Sequence, residues 1–236
     1  MEGGIDEAGR GPVLGPLVVA GVAVPDVHAL VALGVRDSKR LAPARRVRLA
    51  RLIRAVPGVV VEVRVIEAGV LDAEMETASL NEIEARRFAD IAACLVEAGT
   101  TRVMADAADV DAARFARRIA AGIGPGTTDG RGAGIGAQAN GVQILAEHGA
   151  DDRWPCVAAA SIIAKTVRDD AIAVLAKRLE RVLGRPMGSG YPGDAATQDY
   201  LRHWVDLHGD VPEGTRRAWS TTRRLLAPRQ ALLDDS

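Results

Sequence analysis

No charged residue interrupts the stretch from Val13 to Val24, and its last eight positions, 17–24, are an apolar strand in length and character. Residues 3–7 read as a strand that runs into a glycine-rich turn, and the short separation favours antiparallel pairing of the two. Pro43 opens a helix that continues to residue 55, where Pro57-Gly58 stops it. Residues 59–66 alternate, with Glu62 and Arg64 on one face and Val61, Val63 and Val65 on the other, which predicts a half-buried strand. Residues 79–98 form a helix, started by a capping box between Ser79 and Glu82 and ended by Gly99.

A short strand over 101–104 runs on to Asp106, and a helix over 111–121 is capped by Asp109 or Asp111. The glycine-rich stretch 122–141 predicts a mobile or locally variable excursion. A strand over 142–145 precedes the longest helix, 158–183. Pro186 and Pro192 then break the pattern before two small helices over 197–207 and 217–226. This order predicts an α/β fold with a mixed sheet and a helical C-terminal extension, divided as residues 1–190 and 191–236.

At 236 residues the chain is long enough for a full core, and with aromatics at only 3% that core must rest on Ala, Val, Leu and Ile. A formal net charge of −1 hides segregation. Residues 36–54 carry seven Arg and one Lys against one Asp, whereas 67–84 carry six acids and no base. Local positive surface matters more than net charge for nucleic-acid binding, so the basic run stays a candidate surface beside its plainer reading as a solvated helix face. Cys94 and Cys156 have no CxxC spacing, which leaves a disulfide framework or a structural zinc site without support. The apolar run 13–24 is too short to span a membrane and has no basic segment before it. The expected compartment is the cytoplasm, and the expected state a monomer.

Chemistry concentrates near the start. Asp6-Glu7 stands directly before Gly9-Arg10-Gly11, and Asp106 and Asp151 each follow an apolar segment. Hard carboxylate oxygens gathered at one sheet edge suit Mg²⁺ or Mn²⁺. Consecutive strand residues point to opposite faces, so Asp6 and Glu7 need local turning to reach one site. The Gly-Arg-Gly tripeptide lacks the full GxGxxG or GxxxxGK[ST] pattern. Glycine permits close backbone approach and Arg10 offers donors to a phosphate or sugar edge, but a tight strand connection with a solvated Arg10 fits as well.

Six strings together carry a resemblance: GIDEAGRGPVLGPLVVAGV at 4–22, DSKRL at 37–41, DAADVD at 106–111, AEHGAD at 146–151, AAASIIAK at 158–165 and GSGYP at 188–192. In this order they resemble ribonuclease HII of the archaeal type, over the chain up to about residue 226. The resemblance implies an RNase H-like fold and divalent-metal-dependent endonuclease activity on the RNA strand of RNA/DNA hybrids. It also implies incision 5′ of a single ribonucleotide embedded in duplex DNA, leaving a 5′-phosphate and a 3′-hydroxyl. By the same resemblance Asp6, Glu7, Asp106 and Asp151 are the catalytic metal ligands, with two Mg²⁺ or Mn²⁺ ions during catalysis. Asp109, Asp111 and Asp152 are near competitors. Gly9, Arg10 and Gly11 match a loop that reads the ribose 2′-hydroxyl and the adjacent phosphate, and Tyr191 a platform for the next sugar. Lys39, Ser161 and Lys165 match residues near the nucleic-acid backbone or supporting the site. Three rival readings are a related metal-dependent, structure-specific nuclease, a non-catalytic nucleic-acid-binding protein, and a metal-binding structural module, although the dispersed acids resemble no EF-hand loop.

Overall fold

The computed structural model describes residues 1–35, 41–124, 128–129, 136–139 and 141–234. In chain order the elements are β1 (Glu2–Ala8), β2 (Leu17–Val24), α1 (His28–Leu33), α2 (Pro43–Arg54), β3 (Val60–Ile66), α3 (Ala68–Glu74), α4 (Leu80–Glu97), β4 (Arg102–Asp106), α5 (Ala112–Ile123), β5 (Thr128–Asp129) and β6 (Gly136–Ala139). They continue with β7 (Val142–Glu147), α6 (Ala150–Arg153), α7 (Pro155–Leu183), α8 (Ala195–His208) and α9 (Ser220–Asp234). The chain divides into two compact units. The first comprises Met1–Ala8, Val18–Arg64 and Ala78–Thr166, and the second Gly9–Leu17, Val65–Thr77 and Val167–Ser236.

The first unit is built on a sheet of order β3-β2-β1-β4-β7-β6-β5. β1, β4 and β7 run parallel, whereas β2 lies antiparallel to β1, and β6 antiparallel to β7. This is the mixed sheet expected from the alternation of strands and helices. Apolar β2 is buried at all eight positions. Ser79 accepts the amide of Glu82 while the Glu82 carboxylate takes the Ser79 amide at 2.8 Å, so the capping box forms as its sequence dictates. The face of α4 that carries Ile83, Phe88, Ile91 and Leu95 is buried, and Phe88 meets Phe115 of α5 edge-on at 5.0 Å. Each such side chain contributes about 1.5–3 kcal/mol of transfer free energy. Gly4 lets β1 lie directly against the start of α7, because a Cβ there would come 2.3 Å from the Val157 amide nitrogen.

The second unit packs Val13, Leu14, Leu175, Leu179, Met187, Tyr200 and Leu201 together, with Trp204 and Trp219 against them. The Tyr200 hydroxyl donates to the Leu179 carbonyl at 2.7 Å. Both tryptophans are packing residues, and Trp154 of the first unit packs against Met104 and Leu145. No described helix is long and apolar enough to cross a membrane.

Three features differ from the sequence expectation. Val65 is 44% exposed although alternation puts it on the buried face; it lies on β3, the last strand at its end of the sheet, which has a neighbouring strand on one side alone. Part of the glycine-rich stretch joins the sheet: Gly136–Ala139 pairs with β7 across a turn at Gly141, which has a left-handed φ of +79°. Residues 125–127, 130–135 and 140 of that stretch lie outside the described residues. The short helices α1 and α3 are new to the picture, since neither is long enough to show a clear 3.6-residue period.

Candidate active site

Register brings the first two acids together. β1 and β4 are parallel with Ile5 paired to Ala105, so the next residues, Asp6 and Asp106, come level at the same end of neighbouring central strands. The third acid arrives from beyond β7, where a left-handed Gly149 starts α6 and Asp151 lies in its first turn. The amide of Ala150 donates to Oδ1 of Asp106 at 3.1 Å, which ties α6 to the end of β4. One carboxylate oxygen each from Asp6, Asp106 and Asp151 lies within 4.8 Å of the others. This carboxylate cluster is able to bind a divalent metal ion, whose charge would offset the mutual repulsion of the three acids.

The environment of Asp6 is polarised in the same sense. Its carboxyl is buried and its pKa is pushed up to about 6, first by burial, against the opposing pull of Lys165, with Asp106 adding repulsion. Oδ1 of Asp6 accepts the amide of Glu7 at 2.8 Å. Lys165 places its ammonium 3.9 Å from Oδ2 of Asp6 and also donates to the hydroxyl of Ser161, one helical turn earlier on α7. Ser161 is itself fully buried and lowers the Asp6 pKa by hydrogen bonding. Ser161 and Lys165 therefore stand with the acids.

The other acids separate cleanly. Glu7 is not one of the three converging carboxylates: β1 stays regular through Ala8, and the turn that the sequence needed comes at Gly9, beyond Glu7. Asp151 is buried, whereas the neighbouring Asp152 is exposed. Asp109 is committed to Arg114 and Arg118, which it meets at 2.9 Å and 3.3 Å, and the Arg114 hydrogen bond holds its carboxyl down at about 2. Asp111 caps α5 through the amide of Arg114.

Gly9, Arg10, Gly11 and Tyr191 all belong to the second unit. Gly9 has a φ of +91°, and a Cβ there would lie 2.6 Å from Cδ of Arg168, so this position requires glycine for the protein's own packing. Gly11 differs. A Cβ on it would meet only the Tyr191 ring, at an ordinary 3.8 Å. Tyr191 is 45% exposed, and the guanidinium of Arg168 lies 5.3 Å from its ring centre. Lys39 lies outside the described residues.

Two arginines around this loop escaped the sequence reading. Arg168 is buried beneath Gly9 and beside Tyr191, and burial lowers its pKa. Arg216 is fully buried and donates to the carbonyls of Gly9, Arg10 and Gly15. Composition gives no sign that Arg216 is buried, since it stands in a C-terminal basic run with the exposed Arg217. The one available signal was the following Trp219, over which its guanidinium lies at 4.7 Å.

The family model of ribonuclease HII matches residues 3–222. Ribonuclease HII of Methanothrix thermoacetophila is 41% identical over 226 residues, covering 95% of this chain and 96% of its own length. Ribonuclease HII of Archaeoglobus fulgidus is 37% identical over 235 residues, with both chains fully covered. Among solved structures, the Archaeoglobus fulgidus enzyme in its complex with PCNA superposes with a TM-score of 0.78 at 38% identity, covering all of both chains. Ribonuclease H2 of Pyrococcus horikoshii gives 0.78 at 32% identity over 97% of this chain and 98% of its own. Similarity of this extent, together with three converged carboxylates on an RNase H-like sheet, places the chain in the ribonuclease HII family of metal-dependent endoribonucleases that cut RNA/DNA hybrids.

Proposed function

We propose that Asp6, Asp106 and Asp151, joined by Glu7 only once metal and substrate are bound, hold two divalent cations, Mg²⁺ or Mn²⁺, and that the enzyme incises duplex DNA on the 5′ side of a single embedded ribonucleotide. The observation that carries the metal reading is the convergence of carboxylate oxygens of Asp6, Asp106 and Asp151 within 4.8 Å of one another, with Asp6 and Asp151 buried. Such ions, when bound, lower the pKa of water and stabilise charge developing on the phosphate and the leaving oxygen. Asp6 is the central ligand in this reading, because it is buried and interacts with both Asp106 and Lys165. Lys165 and Ser161 orient its carboxylate, and the Lys165 ammonium offsets part of its repulsion from Asp106. Cleavage of the 3′-oxygen–phosphorus bond leaves a 3′-hydroxyl upstream and a 5′-phosphate on the ribonucleotide.

Selection of ribose falls to the loop Gly9-Arg10-Gly11 and to Tyr191. The 2′-hydroxyl both donates and accepts hydrogen bonds, and it is the one group by which a strand of ribose differs from deoxyribose at constant base. A Cβ on Gly11 would meet only the Tyr191 ring, so in this reading the glycine is kept to leave the approach of a sugar to Tyr191 open. Arg10 supplies a cation to the neighbouring phosphate. Lys39 and the exposed Arg45 and Arg48 of α2 track the duplex backbone.

The test is product mapping on two DNA duplexes that differ in one sugar. The expected result is a single cut 5′ of the ribonucleotide, with the deoxyribose duplex left intact. Comparable cutting of the all-DNA duplex, or cutting only where four consecutive ribonucleotides are present, would refute the reading. In the same assay Tyr191→Ala should impair the single-ribonucleotide substrate more than a continuous hybrid, which offers several registers.

A further inference from the structure

The side chain of Arg216 is fully buried, and its three hydrogen-bond acceptors are backbone carbonyls of one loop. Nε donates to Gly15 O at 3.0 Å, Nη1 to Arg10 O at 3.2 Å and Nη2 to Gly9 O at 2.6 Å. The arginine is itself pinned. Its amide donates to Val13 O at 2.9 Å, its carbonyl accepts from the Thr222 hydroxyl at 2.7 Å, and the Trp219 ring covers its guanidinium. A planar fork fixed at both ends defines the direction of the carbonyls it holds.

That direction has a consequence for the amides. No peptide bond among the described residues is cis, so each C=O points opposite to the N–H of the following residue. Turning the Gly9 carbonyl toward Arg216 therefore turns the Arg10 amide away from it. Turning the Arg10 carbonyl inward does the same to the amide of Gly11, an exposed residue beside Tyr191. Two successive outward amides make a concave donor site for an anion or a hydroxyl oxygen.

We infer that Arg216 is a positioning residue for ribose recognition: by holding two consecutive carbonyls it presents the Arg10 and Gly11 amides to the 2′-hydroxyl and the adjoining phosphate of the substrate strand. The inference rests on the proposed reading of the Gly9-Arg10-Gly11 loop. Arg216 does not touch substrate in this account, and its charge is not what matters. A lysine would retain the charge but lose the planar fork that engages several carbonyls together.

The test uses full-length protein carrying Asp6→Asn, which blocks turnover, and two fluorescent DNA duplexes that differ by one 2′-hydroxyl. Fluorescence anisotropy gives both affinities in the D6N protein and in D6N with Arg216→Lys. The expected result is a ribose preference in D6N that falls about tenfold or more when R216K is added, with all-DNA affinity within about twofold. A merely structural role would weaken both duplexes equally and leave their ratio unchanged, and that outcome overturns the inference. Should R216K fail to fold, D6N with Thr222→Val, which releases the Arg216 carbonyl and leaves its guanidinium in the protein, is measured in its stead: the ribose preference should fall with all-DNA affinity kept. An unchanged ratio in that protein overturns the inference. A D6N protein with no ribose preference would overturn the loop reading and this one together, whereas a preference that survives R216K removes only the role of Arg216.

Discussion

The ammonium of Lys165 stands 3.9 Å from Oδ2 of Asp6, on the first helix turns that follow the close contact of Gly4 with the backbone at Val157. The strand and helix approach closely because Gly4 has no Cβ, and that approach brings a cation to a buried acid of the site. In the metal-free protein Lys165 is part of what makes an ionised Asp6 tolerable. Replacing it by methionine should lower the melting temperature of metal-free protein at pH 8 by several degrees. The loss should shrink when saturating Mn²⁺ or Mg²⁺ takes over the compensation, as thermal melts with and without metal will show.

The pH dependence follows from the same carboxyl. Its folded pKa is about 6, above its ordinary 3.8, so the native protein holds a proton that the unfolded chain releases. This contribution to stability is complete below about pH 4 and is lost as pH rises through 6. Metal-free protein should therefore lose on the order of 1–3 kcal/mol between pH 4 and pH 7 from this group. Asp6→Asn should remove that drop, and it should leave the metal-free protein more stable than the parent at pH 8. Chemical denaturation across this pH range measures the effect.

Much of this was legible in the chain. The strand that carries Asp6, the capping box at Ser79, the short strand ending at Asp106 and the long helix with Ser161 and Lys165 all follow from apolar period and end signals. What the sequence could not supply was direction. Whether Asp151 or Asp152 turns inward depends on where Gly149 starts a one-turn helix, and no periodicity operates over four residues. Nor could it separate Arg216, which is buried on loop carbonyls, from Arg217, which is exposed and bound to Asp210.

The burial difference between Asp151 and Asp152 makes a direct comparison. Asp151→Asn should reduce cleavage of an RNA/DNA hybrid by about a hundredfold or more, on the scale of losing one charged group from a catalytic site. Asp152→Asn should leave the rate within about twofold, as for other exposed positions. Steady-state rates at saturating metal settle the assignment, and a reversed order would exchange the two residues.

The two glycines of the loop should behave differently. Gly9→Ala puts a Cβ into Arg168 at a φ of +91° and should destabilise the fold by about 1–3 kcal/mol. Gly11→Ala meets nothing closer than 3.8 Å, so its melting temperature should stay near the parent value while cleavage at a single ribonucleotide falls. Parallel melts and cleavage assays on both variants check the contrast.

The basic helix α2 carries no acid in its first turn and exposes Arg45 and Arg48. Replacing Arg45, Arg46 and Arg48 together by alanine should weaken duplex binding and flatten its dependence on salt, by a slope of up to about 0.9 for each phosphate that the helix no longer neutralises. Maximal cleavage at saturating duplex should change much less. An unchanged slope in a binding titration would assign the run to ordinary surface solvation.

Metal-dependent hydrolysis at the Asp6 carboxylate is most directly tested by Asp6→Asn, which nearly preserves shape while removing the charge that a cation needs. The measurement is the steady-state cleavage rate of an RNA/DNA hybrid at saturating Mg²⁺, taken beside the affinity for the same hybrid. The expected outcome is a rate lower by about a thousandfold or more with hybrid binding still measurable. Equal rates for D6N and the parent would contradict the central role of Asp6 and with it the proposed metal site.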